Sequence, residues 1–171
     1  MAESVRAAGS IVGIVAFGMQ LATTMHTYME TVDEADQKLR DIVFDMNTTA
    51  SALKQLDVII EKDRANKAGL TVLKEDGIKE IEHLASKCRQ IYDNIITLLR
   101  KASGDNEEPE RSSSSQLAFN PALLKALNMR QKLKWPWLVP RIGRCHDELR
   151  WLKISLLLTL QTVNLAHLQL R

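Results

Sequence analysis

Glycine, proline and aromatic residues are scarce in this chain. Its 171 residues include seven Gly, four Pro, three Trp, two Tyr and three Phe. A β-sandwich or β-barrel needs more turn-forming residues, whereas the frequent Leu, Ala, Lys, Glu and Gln favour helices. With 45% hydrophobic residues the chain is able to bury one sizeable core. The composition therefore predicts a single all-α domain that spans residues 1–171.

Cysteine is also rare, because Cys88 and Cys145 are the only two in the sequence. They form at most one disulfide, and neither belongs to a C-x-x-C pair, which argues against a disulfide framework or a zinc site. A secretory signal peptide is not expected, since Glu3 stands beside the single Arg6 in what would be its basic region. These features favour a reducing, cytoplasmic location.

Known catalytic motifs are missing from the sequence. No H-E-x-x-H, G-x-S-x-G, P-loop or G-x-G-x-x-G pattern occurs. Glu80-x-x-His83 supplies only half of a di-iron bundle site. Cys145 and His146 are neighbours, which on a helix point about 100° apart. We therefore expect no enzyme activity, no catalytic or metal-binding residues and no cofactor.

A first helix is predicted from an uncharged stretch, residues 7–29, which holds no Asp, Glu, Lys or Arg. A membrane-spanning helix takes roughly 20 predominantly apolar residues, but Gln20 and several Ser and Thr make this stretch more polar. Gly9, Gly13 and Gly18 permit close approach of another helix in lipid or in a bundle. Three interpretations stay open: a buried helix, a membrane helix, or a helix that is buried first and inserts later. Constant spanning is the least favoured.

Two heptad patterns, at about residues 32–60 and 78–98, predict two long helices that pair antiparallel. Residues 103–118 are acidic and Ser-rich, which indicates a flexible loop. Beyond a short helix near 120–133, Trp135-Pro136-Trp137 and Pro140 predict an elbow. The expected fold is thus a mostly antiparallel bundle of about five helices, with a Pro-kinked elbow before the last helix.

Two further expectations concern the faces of these helices. On the helix at 32–60, the side opposite the apolar stripe carries charged residues, among them Asp45, and is expected to face solvent. The last helix, at about 141–170, has apolar residues on more than one stripe. We therefore expect other helices to contact it on two sides.

Charge is distributed unevenly along the chain. Residues 1–120 carry 14 Lys and Arg against 19 Asp and Glu, whereas residues 121–171 carry 9 against 2. The basic third is able to attract either the acidic body or an anionic surface. Nucleic acid is not an expected partner, because no helix-turn-helix, RNP-type or zinc-finger signature accompanies the charge.

Basic and Trp side chains are mixed around the predicted elbow, a combination that suits the headgroup layer of a membrane. Simple packing of the elbow beneath a solvated basic face is the favoured alternative. The residues of this basic-aromatic patch are Lys132, Lys134, Trp135, Trp137, Arg141 and Arg144.

Three stretches of the chain resemble the fungal HeLo-like N-terminal domains, which head STAND (NLR-like) receptors. The first is Ala2-Glu3-Ser4-Val5 followed by the apolar run at 11–21, and the second is Trp135-Pro136 after Leu133-Lys134. The third is the sequence at 148–158, Glu-Leu-Arg-Trp-Leu-Lys-Ile-Ser-Leu-Leu-Leu. The similarity covers nearly the whole chain in the same order.

The resemblance implies a signalling or programmed-cell-death module whose hydrophobic N-terminus stays hidden until it is released. Such a module has protein partners that it binds through helix–helix contacts, an anionic membrane to which it attaches peripherally, and further copies of itself. A protein-binding adaptor without membrane activity is the alternative. The implied membrane or partner face consists of Ile11, Gly13, Ile14, Phe17, Gly18 and Leu21.

Overall fold

The computed structural model describes residues 2–30, 37–65, 73–103 and 135–169, with side chains at all of these positions except 2–10, 28, 30, 102, 103, 135–137 and 139. This part of the chain is all-α, as predicted. Four helices account for almost all of it, where about five were expected for the whole chain. The short helix expected at 120–133 and the loop at 104–118 lie outside the described residues. The helices are α1 (Ala2–Glu30), α2 (Gln37–Ala65), α3 (Glu75–Ser103) and α4 (Trp135–Gln169).

The core lies along the apolar stripes that the heptad patterns predicted. In α2 the stripe is buried from Leu39 to Ile60, and in α3 from Ile81 to Leu99. The last helix contributes a stripe of its own, which faces α2 and α3. Buried side chains of this stripe include Leu149, Leu152, Leu156, Leu160 and Val163.

The four helices pack as a square with α2 and α3 on one diagonal. Helix α1 packs against α2 and also touches α3, whereas α4 packs equally against α2 and α3. The prediction that the second and third helices pair directly is therefore wrong, because they touch only slightly. The physical reason is that α4, with its uncharged apolar stripe, covers more apolar surface on each of them than they would cover on each other.

Helix directions are also mixed. Asp45 contacts His146 and Asp63 approaches His167, so residue numbers rise together along α2 and α4 and these helices run parallel. In contrast, α3 and α4 run antiparallel, since shallow clefts between them bring residue 98 beside residue 144 and residue 84 beside residue 155. The expected mostly antiparallel arrangement therefore fails for the α2–α4 pair.

The prolines near residue 140 belong to α4 and not to an elbow before it. The helix begins at Trp135 and continues through Pro140 to Gln169. Pro136 is the second residue of the helix, where the missing N–H would have no intrahelical partner anyway. Pro140 costs one backbone hydrogen bond, but Leu138 and Ile142 around it are buried and hold this turn in the core. The elbow predicted before the last helix is therefore wrong.

Candidate interaction surfaces

The predicted membrane or partner face of α1 forms part of the core. Ile11, Ile14, Phe17 and Leu21 are between 0% and 4% exposed. Gly18 is also buried, and Gly13 is half-buried. These residues contact other helices, so any contact with lipid through this face requires α1 to leave the bundle first.

Gly18 lies where α1 touches α3. A Cβ atom on Gly18 would stand 2.7 Å from Cε2 of Tyr92, whereas a Cβ on Gly13 would have no atom within 4 Å. The ring of Tyr92 is fully buried and lies 6.4 Å from the ring of Phe17, at an angle of 52°. Close packing against Tyr92 therefore explains Gly18, and it does not explain Gly13.

The outward face of α1 is exposed but uncharged over residues 11–29. Val12 is 55% and Met19 is 49% exposed. The hydroxyls of Thr23, Thr24 and Thr27 each donate to the carbonyl four residues earlier, which satisfies them within the helix. None of the described helices combines the length and the hydropathy that crossing a membrane requires.

The basic-aromatic patch is only partly described. Lys132 and Lys134 lie outside the described residues, as do the side chains of Trp135 and Trp137. Arg141 and Arg144 are exposed on the first turns of α4, where both line a shallow cleft against α3. A joint role of these six residues at a membrane stays a prediction.

A buried charge cluster joins α2 to α4. The Nε2 atom of His146 lies 3.0 Å from Oδ2 of Asp45, and the ammonium of Lys153 donates to Oδ1 of the same carboxylate. The Lys153 ammonium also lies 5.8 Å from the centre of the Phe44 ring. The Asp45 side chain is only 6% exposed, so the expectation that it faces solvent is wrong. Helix α4 covers that side of α2 and supplies two basic partners.

A second buried carboxylate, Asp63, connects three helix ends. Its Oδ2 atom accepts a hydrogen bond of 2.7 Å from the backbone N–H of Leu73, just before α3, and its Oδ1 atom lies 3.7 Å from Nε2 of His167 in α4. The sequence carries a signal for both clusters. His146, Lys153 and His167 are separated by multiples of seven residues, which places them on one side of a helix. Sequence reasoning missed this pattern.

The thiols and imidazoles do not form a reactive site in the described residues. Cys88 is fully buried, which raises its pKa to about 12. Burial, together with Glu148, also raises the pKa of Cys145, and the neighbouring His146 contacts Asp45 instead of this thiol. A search of the described residues finds no cluster of three or more His, Cys, Asp or Glu that could hold a metal ion.

The outer face of α4 holds half of the ten large apolar side chains that are exposed among the described residues. Its side chains recur every three or four positions, and Gln161 continues the same spacing. Helices α2 and α3 contact α4 on two other sides, so the expected two-sided contact is found, and this outer face stays uncovered within the described residues. Here this surface is called the α4 outer stripe, and it comprises Trp151 (72% exposed), Ile154 (46%), Leu158 (60%), Leu165 (62%) and Leu168 (66%).

The α4 outer stripe continues toward α2. Leu157 is 38% exposed beside it, and Phe44 of α2 is 66% exposed. Both line one shallow groove between the two helices. The apolar surface therefore includes part of α2 as well as α4.

Comparison with known proteins adds no relative: no family model, no curated protein and no solved structure matches this chain. Function therefore has to be inferred from the buried face of α1 and the exposed face of α4.

Proposed function

We propose that this chain is a non-enzymatic helical interaction module of the signalling type, and that it binds helices of protein partners through the α4 outer stripe. The observation that carries the proposal is the stripe itself, with five large apolar side chains between 46% and 72% exposed. Contiguous apolar surface on this scale marks interaction sites in proteins. The spacing by three and four residues matches the anchors with which helices bind grooves and other helices.

The surroundings of the stripe support the same proposal. From Ile154 to Leu170 the sequence has no Asp, Glu, Lys or Arg, although a helix face that only meets water normally carries charges. The buried thiols and the carboxylates bonded to α4 serve packing, and they provide no nucleophile for catalysis. The resemblance to HeLo-like domains, which serve as modules of larger receptors, agrees with a binding role in the cytoplasm.

A display experiment tests this function. A library of surface-displayed amphipathic helices with varied apolar spacing is selected on the immobilised full chain, on Leu158→Glu and on Met19→Glu. Met19 is the matched control, because it is 49% exposed but lies on α1. We expect the wild type and Met19→Glu to enrich helices with a three-four apolar stripe, and Leu158→Glu to lose them. No enrichment on the wild type, or equal enrichment on Leu158→Glu, would refute the proposal.

Membrane attachment by a released α1 is the second function that an observation favours. Both faces of α1 are uncharged over residues 11–29, and its threonine hydroxyls are bonded within the helix. Release is costly, because fully burying one large apolar side chain is worth roughly 1.5–3 kcal/mol and seven of them would leave the core, namely Ile11, Ile14, Val15, Phe17, Leu21, Met25 and Met29. Domain stabilities are only about 5–15 kcal/mol, so an anionic membrane would have to compensate by covering the same side chains.

Flotation and leakage of anionic liposomes test the second function. Phe17→Glu is unsuitable, because Phe17 is 4% exposed and a buried carboxylate there would disrupt the fold. Gly18→Ala loosens α1 against Tyr92, while Gly13→Ala meets no atom within 4 Å and serves as the control. If α1 inserts, Gly18→Ala floats and causes leakage more than Gly13→Ala does. Equal and negligible flotation of both variants would reject membrane attachment and leave the adaptor role.

A further inference from the structure

We propose that the partner of the α4 outer stripe is the same stripe of a second copy of this chain, paired antiparallel about a two-fold axis. This inference rests on the proposed function and specifies its partner. A two-fold interface requires a surface that is complementary to itself. Three properties of the stripe meet this requirement: its flanks, its register and its area.

The flanks of the stripe lack the charges that usually select a different partner. Positions beside a helical seam commonly carry acidic and basic residues that set partner choice. Here only Arg150 is charged, and the other flanking residues are Ser155, Leu157, Thr162, Asn164 and Gln169. The hydroxyls of Ser155 and Thr162 already donate to the carbonyls of Trp151 and Leu158. The flanks therefore neither repel a second copy nor require an oppositely charged partner.

One antiparallel register pairs all five side chains of the stripe together with Gln161. In this register Trp151 lies opposite Leu168 of the second copy, Ile154 opposite Leu165, and Leu158 opposite Gln161, and the two-fold axis repeats each pair. Every layer combines one residue from the first half of the stripe with one from the second half. A parallel pair would instead place the two Trp151 side chains in the same layer.

Charge along α4 also favours the antiparallel direction. The segment of α4 before Ile154 carries Arg141, Arg144, Arg150 and Lys153 against Asp147 and Glu148, a net charge of +2. In a parallel pair the two basic segments would lie side by side and repel each other. In an antiparallel pair each basic segment lies beside the uncharged end of the other copy.

The exposed area matches that of a stable interface. With aromatic side chains at about 150–250 Å² and aliphatic ones at roughly 60–120 Å², the exposed parts of the stripe, Leu157 and Phe44 give on the order of 500 Å² of apolar surface. A standard interface buries about 800 Å² per partner, of which roughly 56–65% is apolar. The two figures agree, so this face has the apolar area that a specific dimer requires.

Sedimentation velocity of the full chain at about 1–200 μM tests the pairing. We expect the wild type and Met19→Glu to form dimers with the same Kd, at low salt and at 1 M NaCl. We expect Leu158→Glu to raise this Kd by about 30-fold or more, because the symmetry removes two leucines and buries two carboxylates. Circular dichroism confirms that each variant is folded. A monomeric wild type at 200 μM, or equal dimerisation of Leu158→Glu, would overturn the inference.

Cysteine cross-linking tests the register. A mixture of Trp151→Cys and Leu168→Cys should form a disulfide between the two variants, while each alone should not. Cross-linking of each variant with itself would overturn the antiparallel pairing. The display selection separates the two proposals: a monomeric wild type that still enriches foreign helices rejects self-pairing only, and a monomeric wild type that enriches none rejects both.

Discussion

The contact between Gly18 and Tyr92 predicts that alanine substitutions at Gly18 and at Gly13 in the same helix change the free energy of unfolding in opposite directions. Alanine at either position should gain about 0.5–1 kcal/mol of helix propensity. At Gly13 nothing opposes this gain, because no atom lies within 4 Å of the new Cβ. At Gly18 the new methyl would stand 2.7 Å from Cε2 and 3.0 Å from Cζ of Tyr92.

The cost at Gly18 follows from the rigidity of its neighbour. Tyr92 is 0% exposed, so other side chains surround its ring and a shift of the ring would have to displace them. Overpacking of this kind costs about 1–3 kcal/mol, which exceeds the propensity gain. We expect Gly18→Ala to lower the free energy of unfolding by about 1–2 kcal/mol and Gly13→Ala to raise it by about 0.5–1 kcal/mol.

Thermal and urea unfolding of both variants measure this difference. For a chain of this size, 1 kcal/mol corresponds to about 2–4 °C in Tm, so the two variants should differ by roughly 3–12 °C in opposite directions from the wild type. Adding Tyr92→Phe to Gly18→Ala should recover part of the loss, since the hydroxyl lies 3.0 Å from the new Cβ. Equal stability of Gly13→Ala and Gly18→Ala would show that α1 does not pack on Tyr92 as described.

Three further predictions follow from the buried polar groups. Asp45→Ala should lower the free energy of unfolding in urea by about 2–4 kcal/mol, because it leaves His146 and Lys153 without their shared anion; a loss below about 0.5 kcal/mol would contradict this. Burial and, less strongly, Glu61 raise the pKa of Asp57, whose Oδ1 is buried without a hydrogen-bond partner in the described residues. The ionised form of Asp57 therefore destabilises the fold above the unfolded pKa, and this destabilisation is lost as the pH falls through the folded pKa. Asp57→Asn should accordingly raise Tm at pH 7, and this gain in Tm should shrink toward pH 3. A gain in Tm that does not change with pH would contradict that origin. Cys88 should react with a thiol reagent at pH 8 at least about 100-fold more slowly in the native chain than in urea, and equal rates would show that its site opens readily.

Much of the fold is predictable because α2 and α3 each bury one stripe. A side chain such as Ile42 or Ile95 lies on the apolar side of a heptad, and the heptad period alone identifies it. Because hydrating the apolar side chains of the uncharged α1 is costly, the sequence predicted that this helix is either buried among other helices or inserted in a membrane. Burial among other helices, one of these environments, is the one that the structure describes.

The wrong predictions concern residues whose environment is set by a neighbouring helix. Asp45 looks like a solvent-facing residue on α2 alone, and only the basic residues of α4 explain its burial. Pro140 looks like a helix breaker until the buried neighbours Leu138 and Ile142 are considered. Likewise, the heptad patterns of α2 and α3 indicate that each helix has an apolar side, but they do not indicate which other helix covers that side.

The extent of the uncovered face of α4 could not be derived from the sequence. Several apolar stripes are present on this helix, and periodicity indicates only that each one favours contact. The number of helices that surround α4 decides which of its stripes are covered. In the structure the domain covers one stripe and leaves the other exposed. The sequence therefore located the apolar residues of the α4 outer stripe but assigned them to internal packing.

The square arrangement has a consequence for how the chain folds. Helices α2 and α3 have little contact with each other and α1 only touches α3, so α4 provides most of the cover for α3. Helix α4 follows α3 by about thirty residues of chain. A ribosome therefore releases α3 with much of its apolar side uncovered well before it makes α4, which shields that side. Because such distant pairings are slow to form, the newly made chain spends this interval open to chaperones, to membranes and to copies of itself.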